Sequence, residues 1–518
     1  MAAVLAAAPG RTAVQLRDSL RAQGRVSITA ADVATVLQAH PGRFRVDISV
    51  PPRWWSVNGC GDNGDNGDNG GNGATGATTT NRLPPLYAWQ VEAMGAWLGR
   101  GGRGVIEAVT GTGKTMVGIA AAAQELARGG QVCVLVPTAE LLRQWQVALA
   151  RHLPPGATIG LLGAGHHDRM GNDDVLVAIV NSARDAELRP RRPGGLLIGD
   201  ECHRYGTDMN RAALEAGFTR RLGLSATFER ADDGHLAWLM PYFGRTCFRM
   251  GYRRAIADGV AAHFVVALVG VDFDEDERAT YDDLSLELAR ARAILITRFG
   301  VPAEPIGVFL RTTSMLARSH GHSPAGTAAR GYLRAMADRR RLLAETPAKT
   351  ATLDSLVPAL RAAKRAIVFT QTIQSSERAA KALRQAGLGA AAIHSGLDGA
   401  ARLSVLAAFH DGHLQVVTAP QVLDEGVDVP AADLAVIVAS SRSRRQMIQR
   451  MGRVLRPKPD GRRARFVVVH VRGTVEDPAL GAHEDFLDEV TGVADRVRSF
   501  RSCPSEADEL NSFLCLSS

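Results

Sequence analysis

Residues 104–126 read GVIEAVTGTGKTMVGIAAAAQEL, and this stretch decides the fold. An apolar run of strand length turns through Thr110-Gly111-Thr112-Gly113-Lys114-Thr115 into a segment of helical pattern. A strand that passes through glycines into a helix is the context that a phosphate-binding loop requires. Glycines let backbone N–H groups converge on phosphate oxygens, Lys114 supplies a point charge, and Thr115 offers a hydroxyl to Mg²⁺. The form AVTGTGKT lacks the first glycine of the commonest pattern, yet a purely structural turn leaves Lys114 without a reason.

The alternation continues outward from this loop. VCVLVP (132–137), VLVAIV (175–180), GLLIGD (195–200) and RLGLSA (221–226) are short apolar runs, and AELLRQWQVALARHL (139–153) has helical spacing. The same pattern returns after Thr350 with AIVFT (366–370), AAAIH (390–394), LQVVTA (414–419), LAVIVAS (434–440) and RFVVVHV (465–471), separated by helical segments such as 376–387 and 402–412. Continuous apolar strands alternating with helices predict parallel sheets covered on both faces. The chain therefore reads as α/β, with one domain over 83–230 and a second over 350–473. Between them, 231–349 holds a short Phe- and Val-rich stretch followed by helices rich in Arg and Leu, read as a helical insertion or bridge. Residues 474–518 read as a C-terminal tail.

Length agrees: 518 residues exceed one core and suggest roughly three to four domains. The stretch NGCGDNGDNGDNGGNGATGATTTN (58–81) has almost no side chain able to build a core, so 57–82 is expected to be a flexible linker. It lacks the hydrophobic frame and closing Glu of a calcium loop. Before it, 1–56 reads helix, helix, strand, with Phe44, Val46 and Ile48 alternating. This resembles a winged-helix domain; a small appendage packed on the main body is the alternative.

Hydrophobic residues at 46%, charged at 22% and aromatic at 5% exclude a disordered chain. The formal charge of +8 is modest, but Ser441–Phe466 holds ten Lys or Arg against one acid, Asp460. Such a concentration suits a polyanion. The six cysteines are scattered without a CxxC pair, which indicates neither a zinc ribbon nor a disulfide framework and fits a reducing cytoplasm. The opening MAAVLAAAPG has no basic residue before its alanine-rich run and reads as a tail. No run of about eighteen apolar residues occurs. His320 and His322 have no companion ligand cluster and read as loop residues, not a metal site.

A second strand end, Gly195 to His203, carries Asp200-Glu201-Cys202-His203. Adjacent carboxylates at the mouth of an α/β sheet, downstream of a phosphate loop, suit two tasks: Asp200 to hold Mg²⁺ and Glu201 to polarise an attacking water.

The ordered set GTGKT (111–115), VPTAELLRQW (136–145), DECH (200–203), LSATFER (224–230), QVLDEGVDVP (421–430) and QRMGRVLRP (449–457) resembles the superfamily 2 DEAD/DEAH-box-type helicases, and LSATFERADDG most resembles the XPB-like DNA helicase branch. The resemblance implies two tandem RecA-like domains, ATP in the cleft between them, and nucleic acid across both. It implies that Gln90 recognises adenine, with Tyr87 and Trp89 either packing on the base or serving as core. Pro137, Thr138 and the segment through Arg143 would lie on the nucleic-acid backbone. Ser225, Ala226 and Thr227, with His203 and Gln449, would couple hydrolysis to strand movement. Gly426 and Asp428 would sense nucleotide, and Thr418 would touch nucleic acid. Arg453 and Arg456 would be arginine fingers, an effect on the order of 10³ to 10⁵ in rate. Phe228 stands where XPB-like sequences commonly have proline, and no Arg-Glu-Asp tripeptide of the damage-sensing kind is present. The implied activity is an ATP- and Mg²⁺-dependent DNA helicase or translocase acting on single-stranded or duplex DNA. An RNA helicase, or the motor subunit of a restriction or defence complex, are the alternatives.

Overall fold

The computed structural model describes residues 11–12, 44–47, 53–56, 83–191, 194–230, 233–318, 323–420, 432–438, 452, 454–458, 460–482 and 490–515. Gly426, Asp428, Gln449, Arg453, His320, His322, the expected N-terminal helices and the 58–81 linker lie outside them. Three short strands, β1 (Arg11–Thr12), β2 (Phe44–Asp47) and β3 (Arg53–Ser56), form an antiparallel sheet in the order β1-β3-β2. The main body comprises two compact units, one built on each large sheet.

The first sheet contains β4 (Arg103–Ala108), β5 (Val132–Val136), β6 (Ile159–Gly163), β7 (His166–His167), β8 (Val175–Ile179), β9 (Leu196–Asp200), β10 (Arg220–Ser225) and β11 (Thr246–Met250), in the order β11-β4-β10-β9-β5-β8-β6-β7. The strands from β4 to β6 in that order are parallel; β7 turns back on β6 as a hairpin. β5, β8 and β9 are buried along their whole length, which explains why their residues run apolar without alternation. Three helices pack with these strands: α1 (Ala88–Leu98), α2 (Lys114–Leu126) and α3 (Ala139–His152). Thr138 starts α3, its hydroxyl accepting from Leu141 N at 3.3 Å, which satisfies one of the open donors of the first turn.

The second sheet has the order β14-β15-β13-β16-β17-β12-β18 and is parallel throughout. Its strands are β12 (Phe264–Val271), β13 (Ala366–Thr370), β14 (Ala390–Ala392), β15 (Val416–Pro420), β16 (Leu434–Ile437), β17 (Ala464–Val471) and β18 (Arg496–Arg501). Two expected boundaries are corrected here. The Phe- and Val-rich run inside 231–349 is β12, an integral strand between β17 and β18, and the stretch 474–518 is no mere tail, since it supplies β18 and a C-terminal helix (Pro504–Cys515). β12 is fully buried, and only a place inside a sheet satisfies such a backbone.

Between β12 and β13 the chain leaves the sheet as α4 (Glu275–Thr297), α5 (Ile306–Arg318) and α6 (Pro324–Glu345), then returns through α7 (Pro347–Ser355). Asp274 and Glu277 form a capping box at the start of α4, and Ser323 caps α6 ahead of Pro324. The three helices share a small core of their own, with Leu288, Leu295, Phe309 and Tyr332 at its centre. This arm is held at its root. Arg278 donates to the carbonyls of Arg472 (2.7 Å) and Gly473 (3.1 Å), Val475 N donates to the Tyr281 hydroxyl (2.9 Å), and Lys349 pairs with Glu476 at 2.6 Å. Among the described residues, no helix is long and apolar enough to cross a membrane.

Candidate active site

Four neighbouring parallel strands deliver the site. β4, β10, β9 and β5 lie side by side. At their carboxyl ends stand the loop 110–115 after β4, Ser225 on β10, Asp200 and Glu201 on β9, and Pro137 and Thr138 after β5. The carboxyl ends of a parallel sheet are where open α/β folds bind ligands. Sequence spacing cannot show that β10 inserts between β4 and β9, which brings Ser225 between the phosphate loop and the acidic pair.

The loop adopts the conformation that its glycines permit. Gly111 and Gly113 have φ of +87° and +91°, the left-handed region that other residues enter at a cost. Thr112 is buried and its hydroxyl donates to Val109 O at 2.8 Å, which closes the turn from within. Thr110 and Thr115 are half-buried. Lys114, the first residue of α2, is buried. Burial holds its ammonium below the ordinary lysine range, while the Glu201 and Asp200 carboxylates nearby pull in the opposite direction. A lysine flanked by two carboxylates at a helix N-terminus is arranged for a polyphosphate and a divalent cation together.

Gln90 is buried and uses both ends of its amide. Its Oε1 accepts from Tyr87 N at 2.8 Å and its Nε2 donates to Gly113 O at 3.0 Å. It therefore braces the phosphate loop from α1. Trp89 is core, stacked on Phe248 with centroids 6.0 Å apart, whereas Tyr87 is exposed.

Glu201 has φ 49° and ψ 47°, a left-handed conformation that is sparsely populated outside glycine and concentrates at functional sites. His203 is buried beside it, its Nδ1 lying 3.0 Å from Ser225 Oγ and 3.3 Å from Glu201 Oε2. The expected coupling residues His203 and Ser225 are thus in direct contact. Ala226 and Thr227 are buried just beyond. Two residues that motif spacing does not single out hold this corner. The Tyr205 hydroxyl, with one proton to share, lies 2.6 Å from the carbonyl of Asp200 and 2.8 Å from that of Leu135, and the Trp145 indole donates to Asp200 Oδ2 at 2.8 Å. Each reads as core from helix or strand pattern; only the requirement that a buried Tyr or Trp place its polar atom points further.

Arg143 is exposed and pairs with Glu140 at 3.3 Å, one turn into α3 from Thr138. Thr418 corrects an expectation. It is fully buried in β15, and its hydroxyl donates to Ser376 O at 2.8 Å and lies 3.0 Å from Ser376 Oγ. It fastens a helix to the sheet and has no surface to offer a polymer. Arg456, in the second unit, is half-buried after the buried pair Val454 and Leu455.

Two family models match the chain: "Type III restriction enzyme, res subunit" over residues 84–230 and "Helicase conserved C-terminal domain" over 348–458. The DNA 3'-5' translocase XPB2 of Sulfurisphaera tokodaii is 29% identical over 392 residues, covering 75% of this chain and 82% of that protein. The DNA 3'-5' helicase XPB of Mycobacterium tuberculosis is 25% identical over 398 residues, covering 75% of this chain and 61% of that protein. Across both segments the chain is similar to the XPB-like DNA helicases. The chain spans about half the length of two further relatives, 51% and 52%. Its fold is also that of S. cerevisiae Dbp5 bound to RNA and ADP BeF3, with a TM-score of 0.51 at 14% identity over 82% of this chain and 92% of that one. The two matched segments fall one on each large sheet, in the order of the motifs.

Proposed function

We propose that this protein is a helicase or translocase that hydrolyses ATP with Mg²⁺ at the strand ends of its first unit and uses the energy to move along DNA in the 3'-5' direction. The observation that carries this reading is the buried Lys114, flanked by Asp200 and Glu201, on a loop whose glycines are left-handed. Asp200 and Thr115 would hold Mg²⁺, which supplies charge neutralisation at the phosphates when bound. Lys114 and the N–H groups at the start of α2 orient the phosphates. Glu201, held in its left-handed conformation, accepts a proton from the attacking water. Arg453 and Arg456 supply further positive charge to the transferring phosphate, and Gly426 and Asp428 respond to the nucleotide; these roles rest on the family resemblance.

Thr138, at the N-terminus of α3, and the exposed Arg143 suit a nucleic-acid backbone. The DNA reading draws on the relatives, whose names give DNA and the 3'-5' direction. ATP hydrolysis measured with single-stranded DNA, duplex DNA and matched RNA tests it. DNA should raise the rate well above the basal value, and displacement of a third strand should require a track of one polarity. Stimulation by RNA in preference to DNA would give the RNA helicase reading its place.

A further inference from the structure

Trp145 lies on α3 seven residues beyond the Thr138 cap, on the buried face with Leu142 and Leu149. Its ring fills space against the phosphate-loop helix: a Cβ added at Gly118 of α2 would come 2.5 Å from Trp145 Cη2. Packing alone would account for the ring, but not for the nitrogen. Two other buried tryptophans among the described residues of this unit, Trp97 and Trp89, show the ordinary range of outcomes. Trp97 donates to a backbone carbonyl, that of Arg221, at 3.1 Å, and the indole nitrogen of Trp89 has no hydrogen-bond partner. Trp145 instead donates to a carboxylate, Asp200 Oδ2, at 2.8 Å, while Asp200 Oδ1 accepts from Glu201 N at 3.1 Å. Bonds to an ionised acceptor are stronger than neutral ones, and with one on each oxygen the carboxylate cannot turn about its own axis without losing both.

We propose that Trp145 is a positioning residue for Asp200. It fixes the rotation of the carboxylate that receives the divalent cation, and it joins that carboxylate to α3. Displacement of the Thr138 end of α3 by a nucleic-acid backbone then reaches the cation through one rigid indole. The wedge against Gly118 transmits the same displacement to the phosphate-loop helix. This inference rests on the reading of Asp200 as the metal carboxylate.

Trp145→Phe keeps most of the ring and removes the N–H. In the full chain with ADP, Mn²⁺ binding read by electron paramagnetic resonance should weaken by about tenfold or more, the usual cost of losing an outer partner of a metal ligand. The melting temperature without metal should fall by the few degrees that a smaller buried ring and a lost hydrogen bond account for, and the stimulation of hydrolysis by single-stranded DNA should fall. Mn²⁺ affinity within about twofold of the unaltered chain would overturn the proposal. If Trp145→Phe does not fold, 5-fluorotryptophan placed at position 145 of the otherwise unaltered chain gives a second readout. Its ¹⁹F resonance should move as Mg²⁺ is added to the ADP complex and not when Asp200→Asn is present, and an unmoved resonance overturns the proposal equally. An unaltered chain that binds no Mn²⁺ with ADP would sink the metal reading of Asp200 and this inference with it. Normal Mn²⁺ binding by both chains would sink this inference alone.

Discussion

Lys114 and Glu201 serve the same reaction through different charges, and their substitutions should separate. Lys114→Ala removes the buried cation that meets the phosphates, so nucleotide affinity and turnover should both fall, the latter by on the order of 10² or more. Glu201→Gln keeps the size of the side chain but cannot take a proton. It should bind nucleotide about as well as the unaltered chain while turnover drops; equilibrium binding and single-turnover hydrolysis on the two variants check the split. Thr418→Val should leave DNA affinity by fluorescence anisotropy unchanged, because the hydroxyl is buried on Ser376. It should lower stability by about 1 kcal/mol, the net worth of one buried hydrogen bond. At this scale the sequence was legible where a residue's chemistry has no structural use, as with Lys114. It was not legible at Thr418 or Trp145, whose roles depend on a neighbour supplied by a distant segment.

The three-helix arm rises from the second sheet on a root of few polar bonds, of which the Lys349–Glu476 pair is buried. Lys349 is completely buried and pairs with Glu476 at 2.6 Å, close to the Arg278 and Tyr281 contacts with residues 472–475. Breaking a buried pair from one side leaves an uncompensated charge, which costs about 3–5 kcal/mol, whereas replacing both partners by apolar groups is often neutral. Lys349→Met should therefore lower the urea midpoint of the second unit markedly, and Lys349→Met with Glu476→Leu should recover most of the loss. A double variant as unstable as the single one would assign the cost to packing. The helices of the arm were readable from Arg- and Leu-rich periodicity. The membership of β12 in the second sheet was not, because its partners β17 and β18 lie some two hundred residues onward and local pattern carries no information about strand order.

At the level of the whole chain, the charge is not spread evenly, and the Ser441–Phe466 segment alone outweighs the formal +8 of the protein. DNA binding should accordingly weaken as salt rises, with log affinity falling linearly in log salt as counterions are released. Affinity indifferent to salt from 50 to about 200 mM would exclude a backbone-tracking surface. Removing residues 1–81 should leave basal hydrolysis intact, since every phosphate-loop and carboxylate motif follows Leu86. A lowered DNA affinity in the same truncated chain would support the winged-helix reading of the first segment. The parallel pairing of Phe264 with Ala464 also sets a timetable for biosynthesis. At about 5–20 residues per second, β12 emerges from the ribosome on the order of 10–40 s before its neighbour β17 exists. Through that interval a wholly apolar strand has no partner of its own, so the nascent chain needs shelter that the finished protein does not.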